Sequence, residues 1–278
     1  MNPKTLLEDF DIIPKKSLGQ NFLHDPNMLE KIVTLAEITA DDNVLEIGPG
    51  TGLLTERVAR AARRVTAVEV DERLQPVLED IVASHPNLNI IYQDILSVDV
   101  SRLFEGEPYI VVANLPYYIT SAILRHLLEN EHRPQLLLVT VQMEVAERII
   151  SKPGDMSILS VSVQYYGKAR IVARLKPSVF WPRPDVDSAV VRIDTFSNPS
   201  VNVPSDRLFF RVVKAGFGQK RKQLKNSISS GLSLSVDQTN TLFDNAQIDA
   251  RRRAETLTLA EWARLTTAFA QLYPAEKH

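Results

Sequence analysis

Asn114, Leu115, Pro116 and Tyr117 place an amide, a proline and an aromatic ring side by side, directly after the apolar run Tyr109–Ala113. An asparagine oxygen can accept a hydrogen bond from an exocyclic amine. A tyrosine ring can stack on a planar base, worth roughly 1–3 kcal/mol. Proline fixes φ and carries no N–H, which helps hold the preceding carbonyl in one direction. Together these groups suit methyl transfer to the amino group of a nucleobase. The same four residues also suit an ordinary strand ending in a Pro turn, so their surroundings must decide.

Those surroundings are acidic and glycine-rich at regular intervals. Glu46-Ile47-Gly48-Pro49-Gly50-Thr51-Gly52 follows an apolar run from Asn43 and opens a helical stretch. Glycines there allow a tight turn and a close backbone approach to a ligand. The spacing is G-x-G-x-G, not the G-x-G-x-x-G of dinucleotide folds, and an acid precedes it. That acid disfavours a pyrophosphate and favours a cofactor with a cationic amino-acid end, which S-adenosylmethionine has. Glu69 lies 21 residues after Gly48, a distance at which a carboxylate can take the hydroxyls of a ribose. Asp94 ends the next apolar run and can accept from an adenine amine. Each acid alone fits a solvated strand end; one after each successive strand is hard to obtain from packing.

The elements that must position these residues alternate between short apolar strands and helical stretches from Asn43 to Phe196. Strands are predicted over Asn43–Ile47, Val65–Val70, Leu88–Gln93, Tyr109–Ala113, Leu136–Val141, Ala169–Leu175 and Ser188–Asp194, with helices over Leu53–Ala62, Glu72–Ala83, Ser121–Glu129, Met143–Ile150 and Ile158–Tyr166. Such alternation predicts a parallel sheet covered on both faces, and it places the quartet at the strand edge where open α/β sheets bind ligands. Pro177, Pro182 and Pro184 leave no room for a helix between the last two strands, so these should pair antiparallel. That is the layout of a class I, Rossmann-like methyltransferase sheet. Ser197–Ser205 is a loop by composition and the expected boundary between domains 1–198 and 199–278. Beyond it the period is helical: Leu208, Phe209, Val212, Val213 and Phe217 share one face, and Thr258 to Glu261 has capping-box spacing.

Composition narrows the alternatives. The 278 residues contain no cysteine, which excludes disulfides, thiolate-ligated zinc and thiol catalysis. The five histidines show no metal-ligand spacing, so no metal is expected. No apolar run approaches the length of a membrane span and no signal peptide is visible, so a cytoplasmic protein is expected. Net charge is −2, yet residues 201–278 carry 12 Lys/Arg against 7 Asp/Glu, compatible with a basic patch on the tail. An NAD-dependent oxidoreductase is disfavoured by the glycine spacing and by the lack of an acid/base pair for hydride chemistry.

One further motif, Lys16-Ser17-Leu18-Gly19-Gln20-Asn21-Phe22-Leu23, has no periodic reason to exist. With Glu46–Gly52, Glu69, Asp94 and Asn114–Tyr117, it resembles the ribosomal RNA adenine N6,N6-dimethyltransferase family. The resemblance continues through Phe180–Ser188 and runs from about residue 10 to 270, and in the tail Arg221–Asn226 and Arg253–Leu257 look like the bacterial small-subunit branch. It implies an S-adenosylmethionine-dependent rRNA methyltransferase whose sheet is followed by a small all-helical C-terminal domain. The implied substrate is two adjacent adenosines in a hairpin loop near the 3′ end of 16S rRNA, so the partner is the small ribosomal subunit, whose maturation the reaction would serve. A monomer is expected.

Carried over residue by residue, Asn21, Leu23, Gly48, Glu69, Asp94 and Asn114 would contact or border S-adenosylmethionine, with Asn114, Leu115, Pro116 and Tyr117 facing the target base. The Asn114 side-chain oxygen and Leu115 carbonyl would accept the two N–H groups of the amine and hold its lone pair toward the methyl. Lys220, Arg221, Lys222 and Lys225 are the first candidates for rRNA phosphates, and Arg251, Arg252 and Arg253 the second. The large-subunit resistance methylases usually replace Gly19 with serine and Pro49 with a small residue, and lack the Arg-Ala-Glu-x-Leu stretch. The mitochondrial transcription-factor branch would bring a targeting segment, which is not visible. An assembly factor whose binding outweighs its chemistry is the alternative from another class. Tyr118 departs from the pattern, since the bacterial enzymes commonly carry asparagine there.

Overall fold

A computed structural model describes residues 2–219 and 221–274. Its strands are β1 (Phe22–Leu23), β2 (Asn43–Ile47), β3 (Arg64–Glu69), β4 (Leu88–Tyr92), β5 (Tyr109–Asn114), β6 (Leu136–Gln142), β7 (Gly167–Leu175), β8 (Phe180–Trp181) and β9 (Ser188–Thr195). All but β1 and β8 form one seven-stranded sheet in the order β4-β3-β2-β5-β6-β9-β7. The strands β2 to β6 run parallel, and β9 pairs antiparallel with β6. Parallel strands covered on both faces read as continuous apolar runs, and β2 is buried at every position, as is β5 up to Asn114.

Register brings the chemistry to one edge. Strand β2 lies between β3 and β5, with Ile47 opposite Val68 on one side and Ala113 on the other. The chain therefore leaves β2, β3 and β5 at the same level, delivering the Gly48 loop, Glu69 and Asn114 side by side. Successive strands add outward from β2 on one side while β5 starts the other, so the edge above β2 and β5 is the topological switch point.

Two helices and the short strand β1 escape the sequence pattern upstream of the sheet. Helix Pro26–Ala36 starts from an Asp25 N-cap, whose side chain accepts from Met28 N, with Pro26 at its first position. Leu29, Ile32 and Ala36 pack with Leu54 and Val58 of helix Leu53–Ala61 over one face of the sheet. A shorter helix, Pro3–Asp9, sends Leu7 into a second cluster with Phe22, Leu74 and Leu78. The ribbon of β1 on β8 pairs Phe22 with Trp181 and Leu23 with Phe180.

The chain forms two compact units. One holds the residues up to Glu147 together with Lys168–Thr195; the other holds Arg148–Gly167 with the residues from Phe196 onward. Helix Ile158–Tyr166 thus belongs with the tail, although it precedes the Ser197–Ser205 loop by some thirty residues in sequence. Its Tyr165 ring stacks on Phe209 at 4.5 Å, and the Tyr165 and Tyr166 hydroxyls donate to Asp206. In the tail itself, helices Asp206–Phe217, Leu224–Leu232, Val236–Ala246 and Leu259–Leu272 form the second unit's core, the last opened by the Thr258–Glu261 capping box. Among the described residues, no helix is long and apolar enough to cross a membrane.

Candidate active site

The edge above β2, β3 and β5 encloses a cavity of about 170 Å³, lined by Asn21, Gly48, Glu69, Asp94 and Asn114–Tyr117 among others. Eight of the nine residues expected from sequence to form the site therefore meet there. Leu23 is the exception. Its side chain is buried in the core under helix Pro26–Ala36, and it reaches only a smaller cavity of about 30 Å³ that it shares with Glu46, Gly48 and Asn114.

Asn114 is held by a residue 93 positions away. Its Nδ2 donates to the Asn21 carbonyl at 2.7 Å. A carbonyl only accepts, so this contact fixes the amide: Nδ2 is the end on the Asn21 carbonyl, and Oδ1 is the end left over. Leu115 N donates to Thr140 O at 3.1 Å, extending the β5–β6 ladder by one residue and pinning the turn. Among the described residues, neither Asn114 Oδ1 nor the Leu115 carbonyl oxygen accepts a hydrogen bond from the protein. Two acceptors thus stand unclaimed beside one cavity. Pro116 follows, its carbonyl taken by Thr120 Oγ1 and Ile119 N. The Tyr117 hydroxyl hydrogen-bonds Ser188 Oγ at 2.7 Å, and Ser188 is fully buried. Burial raises the Tyr117 phenol above its ordinary value, so it stays neutral.

The three glycines of the loop do different work. A Cβ on Gly48, whose φ is +71°, would meet nothing nearer than Asn114 O at 3.8 Å and would project into open space beside the quartet. On Gly50 it would strike Phe22 at 2.8 Å, and on Gly52 it would strike Ile81 at 2.1 Å. Gly50 and Gly52 therefore permit packing, whereas Gly48 leaves room for a ligand.

Three acids surround this loop. The Glu69 carboxylate, 4% exposed, accepts Gly50 N on Oε2 and both Val70 N and Asp71 N on Oε1. Burial raises its pKa even against those three amides. A carboxylate offers about four lone-pair positions, so one remains for a hydroxyl, and a second would have to displace an amide. Asp94 is exposed; its Oδ1 accepts Leu96 N at 2.9 Å, which leaves Oδ2 free of any hydrogen bond to the described residues. Glu46 lies deepest. Its Oε2 is buried without a partner, and burial pushes its carboxyl up to about 8, with the Thr55 hydroxyl beside it pulling the other way and the Glu69 charge adding to the rise.

The motif Lys16–Leu23 is explained by Asp71. Gln20 Nε2 donates to Asp71 Oδ2 at 2.8 Å, Arg73 grips both carboxylate oxygens, and Lys15 approaches to 4.0 Å. The Arg73 hydrogen bonds are the chief reason that the Asp71 pKa is lowered. This cluster ties the segment carrying Asn21 to the end of β3. Sequence reasoning misses Asp71 because its role is to hold a loop, which no spacing advertises.

In the second unit the basic candidates divide. Arg251 is bound to both Asp249 oxygens, Arg252 to Glu261 and Thr256, and Arg253 lies 3.9 Å from Glu255. Arg221, Lys222 and Lys225 carry no ion pair among the described residues, while Lys220 falls outside them. Arg207, Arg211 and Lys214 add an exposed basic row along helix Asp206–Phe217, lining a surface cleft with Gln219 and Ser230. Their i, i+4, i+7 spacing is the signal that could have found them, as the face opposite the apolar one.

Known proteins resemble this chain over most of its length. Residues 14–271 match the family model described as "Ribosomal RNA adenine dimethylase". A protein of Alkaliphilus metalliredigens named "Ribosomal RNA small subunit methyltransferase A" is 44% identical over 270 residues, covering 95% of this chain and 94% of its own. One of the same name from Dehalococcoides mccartyi is 40% identical over 268 residues, covering 96% and 92%. Among solved structures, the 23S rRNA methyltransferase ErmE is 28% identical with a TM-score of 0.68, covering 89% of this chain and 99% of that one. A dimethyladenosine transferase of Plasmodium falciparum, 22% identical, has the same fold at a TM-score of 0.76, covering 90% and 98%.

Proposed function

Because this chain belongs to the ribosomal RNA adenine dimethylase family, we propose that it transfers methyl groups from S-adenosylmethionine to the N6 amines of two adjacent adenosines in small-subunit rRNA. The observation that carries this reading is the locked Asn114 amide, with Oδ1 and the Leu115 carbonyl both unclaimed beside the cavity. The relatives named for the small subunit stand at 39–44% identity, against 28% for the 23S enzyme, which favours the small subunit.

The residues present fit the methyl donor. Glu46 offers a buried, unpartnered carboxyl oxygen suited to a cationic amine. Helix Leu53–Ala61 starts at Gly52 without a side-chain cap, so its first amides are open to a carboxylate. An amino acid carries both charges. In the larger cavity, Glu69 suits a ribose hydroxyl and Asp94 Oδ2 an adenine amine. The two cavities share Phe22, Gly48, Gly50 and Asn114, which supports a donor whose two ends meet beside the quartet. When bound, the donor supplies an electrophilic methyl on a sulfonium.

Everything else falls to the chain. The lone pair of an adenine amine is delocalised into the ring and must be turned out of the plane to attack. Asn114 Oδ1 and the Leu115 carbonyl accept the two N–H groups, orient that lone pair and stabilise positive charge as it grows on nitrogen. After the first methylation one N–H remains, and one acceptor suffices to hold it. Tyr117 presents its ring to the base, kept in place by Ser188. The product ammonium is acidic enough to lose its proton to water, so no strong base is required. A base must leave its stack to enter, at a few kcal/mol, and less in a hairpin loop.

Small subunits lacking the modification, incubated with the chain and tritiated S-adenosylmethionine, should take up label at two neighbouring adenosines near the 3′ end of the small-subunit rRNA. Label confined to another RNA, or none, would overturn the reading.

A further inference from the structure

Two consecutive tyrosines follow Pro116, and the structure treats them in opposite ways. Tyr117 is half-buried with its hydroxyl bonded to Ser188. Tyr118 is 59% exposed, lines the same cavity, and makes no hydrogen bond to any described residue. Its ring is nonetheless seated. One edge lies over Gly19, where a Cβ would come within 3.3 Å of Cδ1 and 3.6 Å of Cε1, and Pro116 borders the same spot. Gly19 is in the left-handed region at φ +61°, part of the segment that Gln20 ties to Asp71. A large apolar ring held along one edge and open to solvent elsewhere has no packing reason to be aromatic. It is placed to receive a flat ligand at the cavity mouth.

We propose that Tyr118 is a stacking platform for the nucleobase next to the target adenosine. This rests on the substrate reading above. If the reaction takes two adjacent adenosines, the neighbour of the base in the pocket loses its own stacking partner when the target leaves the stack. Its flat face is then uncovered within one nucleotide of the quartet. Tyr118, one residue beyond the ring that receives the target, offers a replacement face. Such stacking accepts any base because every base has a π-face, with a modest preference for the stronger stackers, so it favours binding of the opened strand more than it reads its sequence. Tyr118 acts on RNA affinity, and the methyl donor does not need it.

The test compares the unaltered chain with Tyr118→Ala, Tyr118→Asn and Tyr118→Phe on small subunits lacking the modification. Removing the ring should raise KM for the subunit roughly ten- to hundredfold, the range expected when one base stack is removed, with kcat within about threefold. Tyr118→Phe should restore it. Calorimetry should give the same S-adenosylmethionine affinity for all four proteins. In a double cycle, replacing the neighbouring adenosine by uridine, a weaker stacker, should slow the unaltered chain while adding little to Tyr118→Ala. An unchanged KM in Tyr118→Ala, or a loss that tracks donor affinity, overturns the proposal while leaving the substrate reading intact. No methylation of the subunit by the unaltered chain overturns the substrate reading and this inference with it.

Discussion

At the scale of single residues, the site is built from groups whose hydrogen-bonding capacity is left incomplete. Asn114→Ala removes one acceptor and the lock on Asn21, yet leaves the donor's acids and glycine loop in place. Loss of one preorganised hydrogen-bonding group at a charged transition state typically costs 10²–10³ in rate. Methyl transfer by Asn114→Ala should fall by about that much, with S-adenosylmethionine affinity within about threefold by calorimetry. Glu46 gives a second expectation. Its carboxyl stands at about 8 in the folded chain against an ordinary 4.5, so it keeps its proton at neutral pH. Its contribution to folding is full below about 4.5 and is lost as pH rises through about 8. A cationic amine beside it favours the ionised form. Donor binding near pH 7 should therefore release up to one proton, seen as a binding enthalpy that varies with the buffer's ionisation enthalpy. In Glu46→Gln the buffer dependence should vanish. A buffer-independent enthalpy in the unaltered chain would place the amine elsewhere.

At the scale of elements, the loop after β2 separates ligand space from packing space. Gly48→Ala should weaken donor binding at least tenfold while lowering stability only by the 1–2 kcal/mol of a side chain in the left-handed region. Gly52→Ala should do the reverse, because its Cβ would overlap Ile81 and crowd Leu78. Thermal unfolding with and without S-adenosylmethionine distinguishes the two. These elements are legible from the sequence wherever a strand is buried on both faces, since β5 is apolar up to Asn114, β6 is broken only by Thr140 before its end, and β2 only by Asn43 and Glu46. Asn114, assigned from sequence to the turn, closes β5 itself, because its partner Thr140 continues the ladder. Helix Pro26–Ala36 is legible in its Asp25-Pro26 start and in the i, i+3, i+7 spacing of Leu29, Ile32 and Ala36, yet it precedes the strand–helix alternation that defines the sheet. The β1–β8 ribbon is not legible: two residues on each side carry no period, and only the fold brings them together. Helix Ile158–Tyr166 is legible as a helix, but Ser160, Ser162 and Gln164 are scattered among its apolar residues and mark no solvent face, so its sequence cannot say which neighbour buries it.

At the scale of the whole molecule, charge is sorted by what pairs with it. Among the tail's basic residues, Arg252 is bound to Glu261, whose pKa burial would raise but which Arg252 and Thr258 hold down at about 2. That ion pair supports folding at neutral pH and is lost only as pH falls through about 2. Arg252→Ala should therefore lower the melting temperature without altering how subunit binding depends on salt. Arg221, Lys222 and Lys225 have no such partner among the described residues. Replacing all three with alanine should leave melting unchanged and reduce the slope of log affinity against log salt by about 0.7–0.9 for each phosphate no longer neutralised. An unaltered slope would move the RNA-binding face to the row of Arg207, Arg211 and Lys214. The locked Asn114 amide has a last consequence, for which base the pocket admits. Two acceptors facing inward welcome an amino group and repel a keto oxygen, and a turned amide would reverse half of that preference. With the target base placed as proposed, the Asn21 carbonyl, by forbidding the turn, would make the pocket a filter against guanosine and inosine, whose sixth ring position carries oxygen where adenosine carries nitrogen.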